Sequence, residues 1–255
     1  MKRNVLTMTL ALVATGSLLA DPKDDVQGAV KKLGDASSYS WSTKTENAGG
    51  GGGGFGGRGG GPSSGKASKD GYAIITRTFG ENTMETVIKG DKSVMKNQEG
   101  AWQTPEEMMA AFGGGQAGAP GGGRGGRGGM FGRGGAATMP AAEAQALLGG
   151  VKDLKSADGA ISGDLTKEAV ASRLFPFGGR GGRAGGEAPP PPENAKGSVK
   201  FWVKDGSLAK YEYNVQGTMS FGGNDMEINR TTTVEIKDVG ATKVEVPEDA
   251  KKKLQ

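Results

Sequence analysis

Apolar and polar positions alternate over most of the second half of the chain. From Gly197 onward, runs rich in Val, Thr, Tyr, Phe, Trp and Ile are broken at Asp205-Gly206, Gly222-Gly223 and Val239-Gly240. That period and punctuation predict an antiparallel meander, with strands over 198–204, 208–217, 226–236 and a short one over 243–246. Val199, Phe201 and Val203 share one face and Trp202 takes the other. Tyr211, Tyr213 and Val215 line a face of the next strand. Met226, Ile228, Val234 and Ile236 share a parity that Arg230 and Thr232 interrupt.

The first half carries the same pattern after a helix. Val26, Ala29, Val30 and Leu33 recur at helical spacing, with Asp24 and Asp25 in the first turn, Lys31 and Lys32 in the last, and Gly34 as the C′ residue. Tyr39, Trp41 and Thr43 then alternate with serines. Strands follow over 72–79, 84–89, 93–96 and 101–102, with turns at 80–82 and 90–91. Thr104 and Glu107 form a capping box with Pro105 at N1, opening a helix through Met108, Met109 and Phe112 that Gly113 stops. Pro140 opens another helix, ended by Gly149-Gly150. Residues 151–156 either extend it or follow it, and 159–164 form a short strand. A helix over 165–175 offers Leu165, Ala169, Leu174 and Phe175 to the core, and Pro247 opens a last helix with acids first and lysines last.

Three glycine-rich tracts interrupt this grammar, at 48–65, 113–135 and 178–192. Glycine at such density does not repay its ordering entropy, which predicts disordered loops; the third ends in a stiffer polyproline spacer. The tracts change the reading of charge. The net charge is +4 and the pI 9.1. Yet Arg58, Arg124, Arg127, Arg133, Arg180 and Arg183 all lie in the tracts, and Lys2 and Arg3 sit at the N-terminus. The remaining segments are mildly acidic, so no folded basic face is expected. Arg-Gly-Gly repeats with Phe55 and Phe131 among them suit polyanions, by phosphate neutralisation and stacking.

Residues 1–20 combine Lys2-Arg3, a short apolar core and a small-residue end at Ala20, a secretory signal pattern. No cysteine follows to accept a lipid. Residues 21–255 then form one domain, exported and soluble, without a stable transmembrane segment, and expected as a monomer in the periplasm or outside the cell. The chain has no cysteine and no histidine. Disulfides, Ser-His-Asp and Cys-His triads, and histidine metal sites are excluded. Glu106-Glu107 and Glu248-Asp249 sit at helix starts, where capping accounts for them, and Asp225 and Glu227 share a solvated strand face. No acid pair reads as catalytic, no phosphate loop is present, and no cofactor or metal is expected.

The phrases SYSWSTKTE, METVIKGDKSVMKNQEGAWQTPEE, GDLTKEAVASRLF, VKFWVKDGSLAKYEYNVQG and TTTVEIKDVGATKVEVPEDAKKKL, in that order, resemble the periplasmic lipoprotein-carrier superfamily of LolA/LolB-like and LppX-like proteins. The resemblance covers nearly all of the chain after residue 20 outside the glycine tracts. It implies an α+β fold: an incomplete antiparallel β-barrel with helices packed on its open side. It also implies a non-enzymatic carrier holding an acyl chain, lipid or other apolar ligand. The family's basic lid residue has no assigned counterpart; Arg77, which shares parity with Ile75 and Phe79, is a candidate.

On this reading Tyr39, Trp41, Ile75, Phe201, Tyr211 and Tyr213 form the cavity wall, although ordinary core packing also accounts for such faces. Nucleic acid is not a partner in this reading. The alternative is an envelope structural or adhesive protein whose tract arginines bind polyanions.

Overall fold

The computed structural model describes residues 21–48, 61–113, 139–174, 191–221 and 224–255. The signal segment, the six tract arginines, and most of the glycine tracts lie outside them.

Eleven strands form one sheet: β1 Ser38–Asn47, β2 Ser63–Ser68, β3 Tyr72–Phe79, β4 Asn82–Lys89, β5 Lys92–Lys96, β6 Trp102–Gln103, β7 Val151–Ala157, β8 Ala160–Leu165, β9 Glu193–Lys204, β10 Ser207–Phe221 and β11 Asn224–Lys237. The spatial order is β6-β5-β4-β3-β2-β1-β11-β10-β9-β8-β7, and every pairing is antiparallel. Each half is a run of neighbours in chain order, and the halves join where β1 pairs with β11. The sheet is open, with β6 and β7 at its edges. This is the incomplete antiparallel barrel that the sequence led us to expect.

Among the described residues the helices are α1 Pro22–Gly34, α2 Pro105–Gly113, α3 Pro140–Gly149, α4 Lys167–Leu174 and α5 Glu248–Lys253. Three of them cover one face. Helix α1 buries the four residues its spacing singled out, Val26, Ala29, Val30 and Leu33, and packs on α3 and β10. Helix α4 buries Val170 and Leu174 against β9 and β10. Together α1, α3 and α4 close a large core over the inner face. The opposite face carries a smaller cluster of Val87, Val94 and Trp102 beneath Val246, Ala250 and Leu254. The capping box forms as expected: Thr104 Oγ1 accepts from the Glu107 N–H at 3.2 Å, and the Thr104 N–H donates to Glu107 Oε2 at 2.9 Å.

The structure departs from the sequence expectation at several points. Residues 63–65, expected within the first disordered loop, begin β2, which pairs with β1 and β3. Gly65 faces Trp41, and a Cβ there would overlap the indole. The glycine is a packing surface for an aromatic ring, and two neighbouring strands supply what its own propensity lacks. Residues 151–156 follow the helix rather than extend it, as part of strand β7. Strand β9 begins at Glu193, earlier than expected. Residues 243–246 join no ladder. Their alternation arises because Val244 and Val246 lie on the outer cluster while Lys243 and Glu245 pair in solvent at 2.5 Å. Gly34 ends α1 within the helix rather than as a left-handed C′. Asp35 closes the helix with a right-handed backbone, its N–H reaching the Lys31 carbonyl and its carboxylate the Lys31 amine at 2.7 Å.

Candidate ligand-binding face

Register determines which side chains share the inner face. Trp41 lies opposite Gly65 and Ile236, and Gly65 lies opposite Ile75. One rung on, Val234 pairs with Tyr211, Tyr211 with Phe201, and Phe201 with Ile161. The next rung runs Thr45, Thr232, Tyr213 and Val199. The six residues proposed from sequence all fall on this face and within one continuous core. Their exposures are 6% for Tyr39 and Trp41, 2% for Ile75, 0% for Phe201 and Tyr211, and 8% for Tyr213. The Tyr39 and Trp41 ring centroids are 5.6 Å apart, and those of Phe201 and Tyr211 are 6.5 Å apart.

Two cavities open elsewhere. One, of about 360 Å³, lies between α4 and the start of β9, beside Lys167, Ala171, Pro192 and Lys196. The other, of about 460 Å³, lies beside Trp102, Glu107, Asp249 and Lys253. None of the six residues lines either one.

A polar group that sequence reading did not assemble sits inside the apolar layer. Glu143 of α3 points at the sheet and accepts from both tyrosines of β10, from Tyr211 Oη at 2.6 Å and Tyr213 Oη at 3.0 Å. Strand period places Tyr211 and Tyr213 two residues apart on one face, so a single carboxylate reaches both. Burial pushes both phenols well above their ordinary range, and the neighbouring Glu143 charge adds to the shift. Burial likewise raises Tyr39, partly offset by its hydrogen bond to the backbone at Ala141. The tyrosines therefore stay protonated and act as donors.

Beside this group, α4 is seated on two glycines. A Cβ on Gly197 would collide with Val170, and one on Gly217 with Leu174. That close approach brings Arg173 over the Tyr213 ring, 5.5 Å from its centroid, and lets Arg230 Nη2 donate to the Arg173 carbonyl at 2.6 Å. The interruption of the β11 parity at Arg230 and Thr232 is thus real: both face inward, and Thr232 is buried at 6% exposure. Arg77 also takes the inward register, two residues from Ile75. Burial lowers its pKa, and among the described residues it has no ion pair. Glu143, Arg173, Arg230 and Thr232 come from three separate elements. The local signs of them were a lone acid in an alanine-rich helix and the interruption of an apolar strand parity by Arg230 and Thr232.

Among the described residues no group of acids could hold a metal ion, and no helix is long and apolar enough to cross a membrane.

The chain matches no protein-family model, and no curated protein matches it. Its likeness is structural. The chain is similar in fold to LppX. For that lipoprotein from Mycobacterium tuberculosis the TM-score is 0.43 at 12% identity, covering 89% of this chain and 98% of the other. LprF from Mycobacterium bovis gives 0.42 at 11% identity, with 90% and 97% covered. A LolA superfamily protein from Nitrosomonas europaea gives 0.31 at 8% identity, with 89% and 96% covered. LppX and LolA are the names that the sequence phrases resemble. At these identities the likeness is one of fold.

Proposed function

We propose that the protein is an exported, soluble, non-enzymatic binding protein that holds an acyl chain, lipid or other apolar ligand against the inner face of its half-barrel. The observation that carries this reading is the inner face itself. Tyr39, Trp41, Ile75, Phe201, Tyr211 and Tyr213 form one apolar layer on an open sheet, and short helices rather than a second sheet cover it. Helix α3 spans ten residues and α4 eight. Helices of that length have little stability of their own and stay in place through what they touch. Two kinds of polar latch hold them: Glu143 on the tyrosines, and Arg230 on the Arg173 carbonyl. A ligand entering under α3 or α4 exchanges helix contacts for its own, at the cost of those latches.

The reading predicts that protein purified from its native export route carries an apolar molecule. Organic extraction followed by mass spectrometry checks it, together with uptake of a fluorescent fatty acid. A preparation that yields no lipid and takes up no fatty acid overturns it.

A second reading has support in the charge distribution, which places six arginines in the glycine tracts. There the protein is an envelope component that binds extracellular polyanions through Arg58, Arg124, Arg127, Arg133, Arg180 and Arg183. Binding of DNA or acidic polysaccharide should fall steeply with salt. Equal binding by a variant with all six changed to serine removes this reading.

A further inference from the structure

Cationic side chains in the described strands are sorted by type. Strand lysines take the outward register, Lys44, Lys66, Lys200, Lys210 and Lys237 among them. The arginines Arg77 and Arg230 take the inward register, and Arg173 reaches the same side from α4. A sheet that needs charge only for solubility has no use for this sorting. Lysine is a compact, strongly hydrated charge, whereas the weakly hydrated guanidinium fork suits pairing with carboxylate or phosphate away from water.

Arg173 and Arg230 are the pair to consider. Part of their work is structural: Arg230 Nη2 donates to the Arg173 carbonyl at 2.6 Å, and Arg173 Nη1 donates to the Ala169 carbonyl at 3.2 Å. The first contact serves the C-terminal turn of α4, where carbonyls favour cations, and the second folds Arg173 back along its own helix. They engage one N–H on each guanidinium and leave the rest of each fork. The Arg173 Nε is buried and has no hydrogen-bond partner among the described residues. Neither arginine forms an ion pair there. The nearby acid, Glu143, already accepts from two tyrosine hydroxyls. Arg230 thus meets Arg173 at one turn of α4, both half-buried and without an ion pair among the described residues, an arrangement that an anion joining them would stabilise. Beside them lies the apolar layer of Tyr213, Tyr211 and Phe201.

We infer that Arg173 and Arg230 receive the acidic head group, a carboxylate or phosphate, of an amphiphile whose apolar chain lies on the inner face. This rests on the carrier reading above and narrows its ligand to acidic amphiphiles.

The test compares two probes with one chain: dansyl-aminoundecanoic acid and its methyl ester, titrated into the full-length protein. The acid should bind roughly ten- to a hundredfold more tightly, as charge-assisted hydrogen bonds to a partly buried pair imply. Arg230→Gln and Arg173→Gln should each collapse that preference, read as the ratio of acid to ester affinity within each variant, with circular dichroism melts showing the fold intact. If a glutamine variant does not fold, Arg230→Lys keeps the charge, loses the fork and should still shrink the preference. Acid and ester binding equally, or a preference that survives these changes, overturns the inference while leaving the carrier reading standing. Failure of both probes to bind overturns the two together. Inorganic phosphate should compete weakly or not at all; competition as strong as that of the acid probe would mean a free-anion site and would overturn the amphiphile.

Discussion

The two sides of the sheet are built from the same strands and differ in kind. The outer cluster takes Val87, Val94 and Trp102 from β4, β5 and β6 and seals them with Val246, Ala250 and Leu254. Every member is apolar. Among the described residues the charges beside it are solvent-facing: Lys253 meets Glu107, Lys251 meets Glu248, and Lys96 lies 5.8 Å from the centre of the Trp102 ring. The inner core is larger and more aromatic, and it admits the Glu143 carboxylate, the hydroxyls of Tyr39, Tyr211 and Tyr213, buried Thr232, and the inward arginines Arg77, Arg173 and Arg230. Stability alone does not call for those groups, since apolar replacements of similar shape are often neutral or better. The difference teaches where to look for function: the outer side shows what this sheet needs in order to fold, and the inner side carries more than that.

The largest expected effect tests whether the inner layer can open to a ligand. Phe201→Ala removes a ring of 0% exposure and should cost about 3–5 kcal/mol, as for other buried Phe truncations. Trp102→Ala should fall in a similar range on the outer side. The comparison lies in rescue. A saturating alkyl ligand should raise the Tm of Phe201→Ala and leave that of Trp102→Ala unchanged. Rescue of both, or of neither, in thermal melts would erase the functional contrast between the two faces.

Next comes alkaline pH. Tyr39, Tyr211 and Tyr213 have pKa values raised by burial in the folded chain, the last two also by Glu143. In the unfolded chain a tyrosine ionises near pH ~10. Above that pH the unfolded state binds fewer protons than the folded one, so stability is full below ~10 and falls as pH rises, by up to about 1.4 kcal/mol per pH unit for each of Tyr211 and Tyr213. Denaturant titrations from pH 8 to 11 should show this limb. Tyr211→Phe and Tyr213→Phe together should flatten it, whereas Trp102→Phe on the outer side should leave it unchanged.

A smaller effect separates a structural carboxylate from a functional one. Glu143→Leu leaves two buried hydroxyls without their acceptor and should cost about 1–3 kcal/mol. The triple change Glu143→Leu, Tyr211→Phe, Tyr213→Phe removes donors and acceptor together and should recover most of that loss in urea melts. If the triple variant is as unstable as the single one, the polar group is needed for the fold, and the inner side is less distinct from the outer than proposed.

The sequence was most readable where one element carries its own signal. The spacing of Val26, Ala29, Val30 and Leu33 marked the buried face of α1, and Thr104 with Glu107 marked the start of α2. Strand parity grouped Tyr211 with Tyr213, and Phe201 with Val199 and Val203, because a period of two fixes which residues of one strand share a face; the register of β9 on β10 then puts the two groups on the same side. Reading failed where the signal belongs to a partner. Ser63, Ser64 and Gly65 have no strand signature of their own; the Trp41 indole and two flanking ladders make them β2. The KVEV alternation at 243–246 reports contact with an underlying sheet, which a ladder strand would report equally well. Glu143, Arg173 and Arg230 meet only after three elements pack, so no window of sequence contains the cluster.

The smallest effect belongs to the outer rim, and it tests whether that side is as plain as described. Lys253 Nζ approaches both carboxylate oxygens of Glu107, at 2.6 and 2.5 Å, joining α5 to α2 across the edge of the sheet. The two side chains remain 35% and 47% exposed. The Glu107 carboxylate is held below its ordinary range, first by the Lys253 hydrogen bond and then by the Thr104 N–H. An ion pair this open to water and salt adds little to stability. Its contribution is present above the ordinary carboxylate pKa and fades as pH falls through the lowered one. Lys253→Ala should therefore leave Tm at neutral pH and moderate salt without resolvable change. A clear drop in Tm would mean that this pair holds α5 down, and that polar contacts support the outer side as they do the inner.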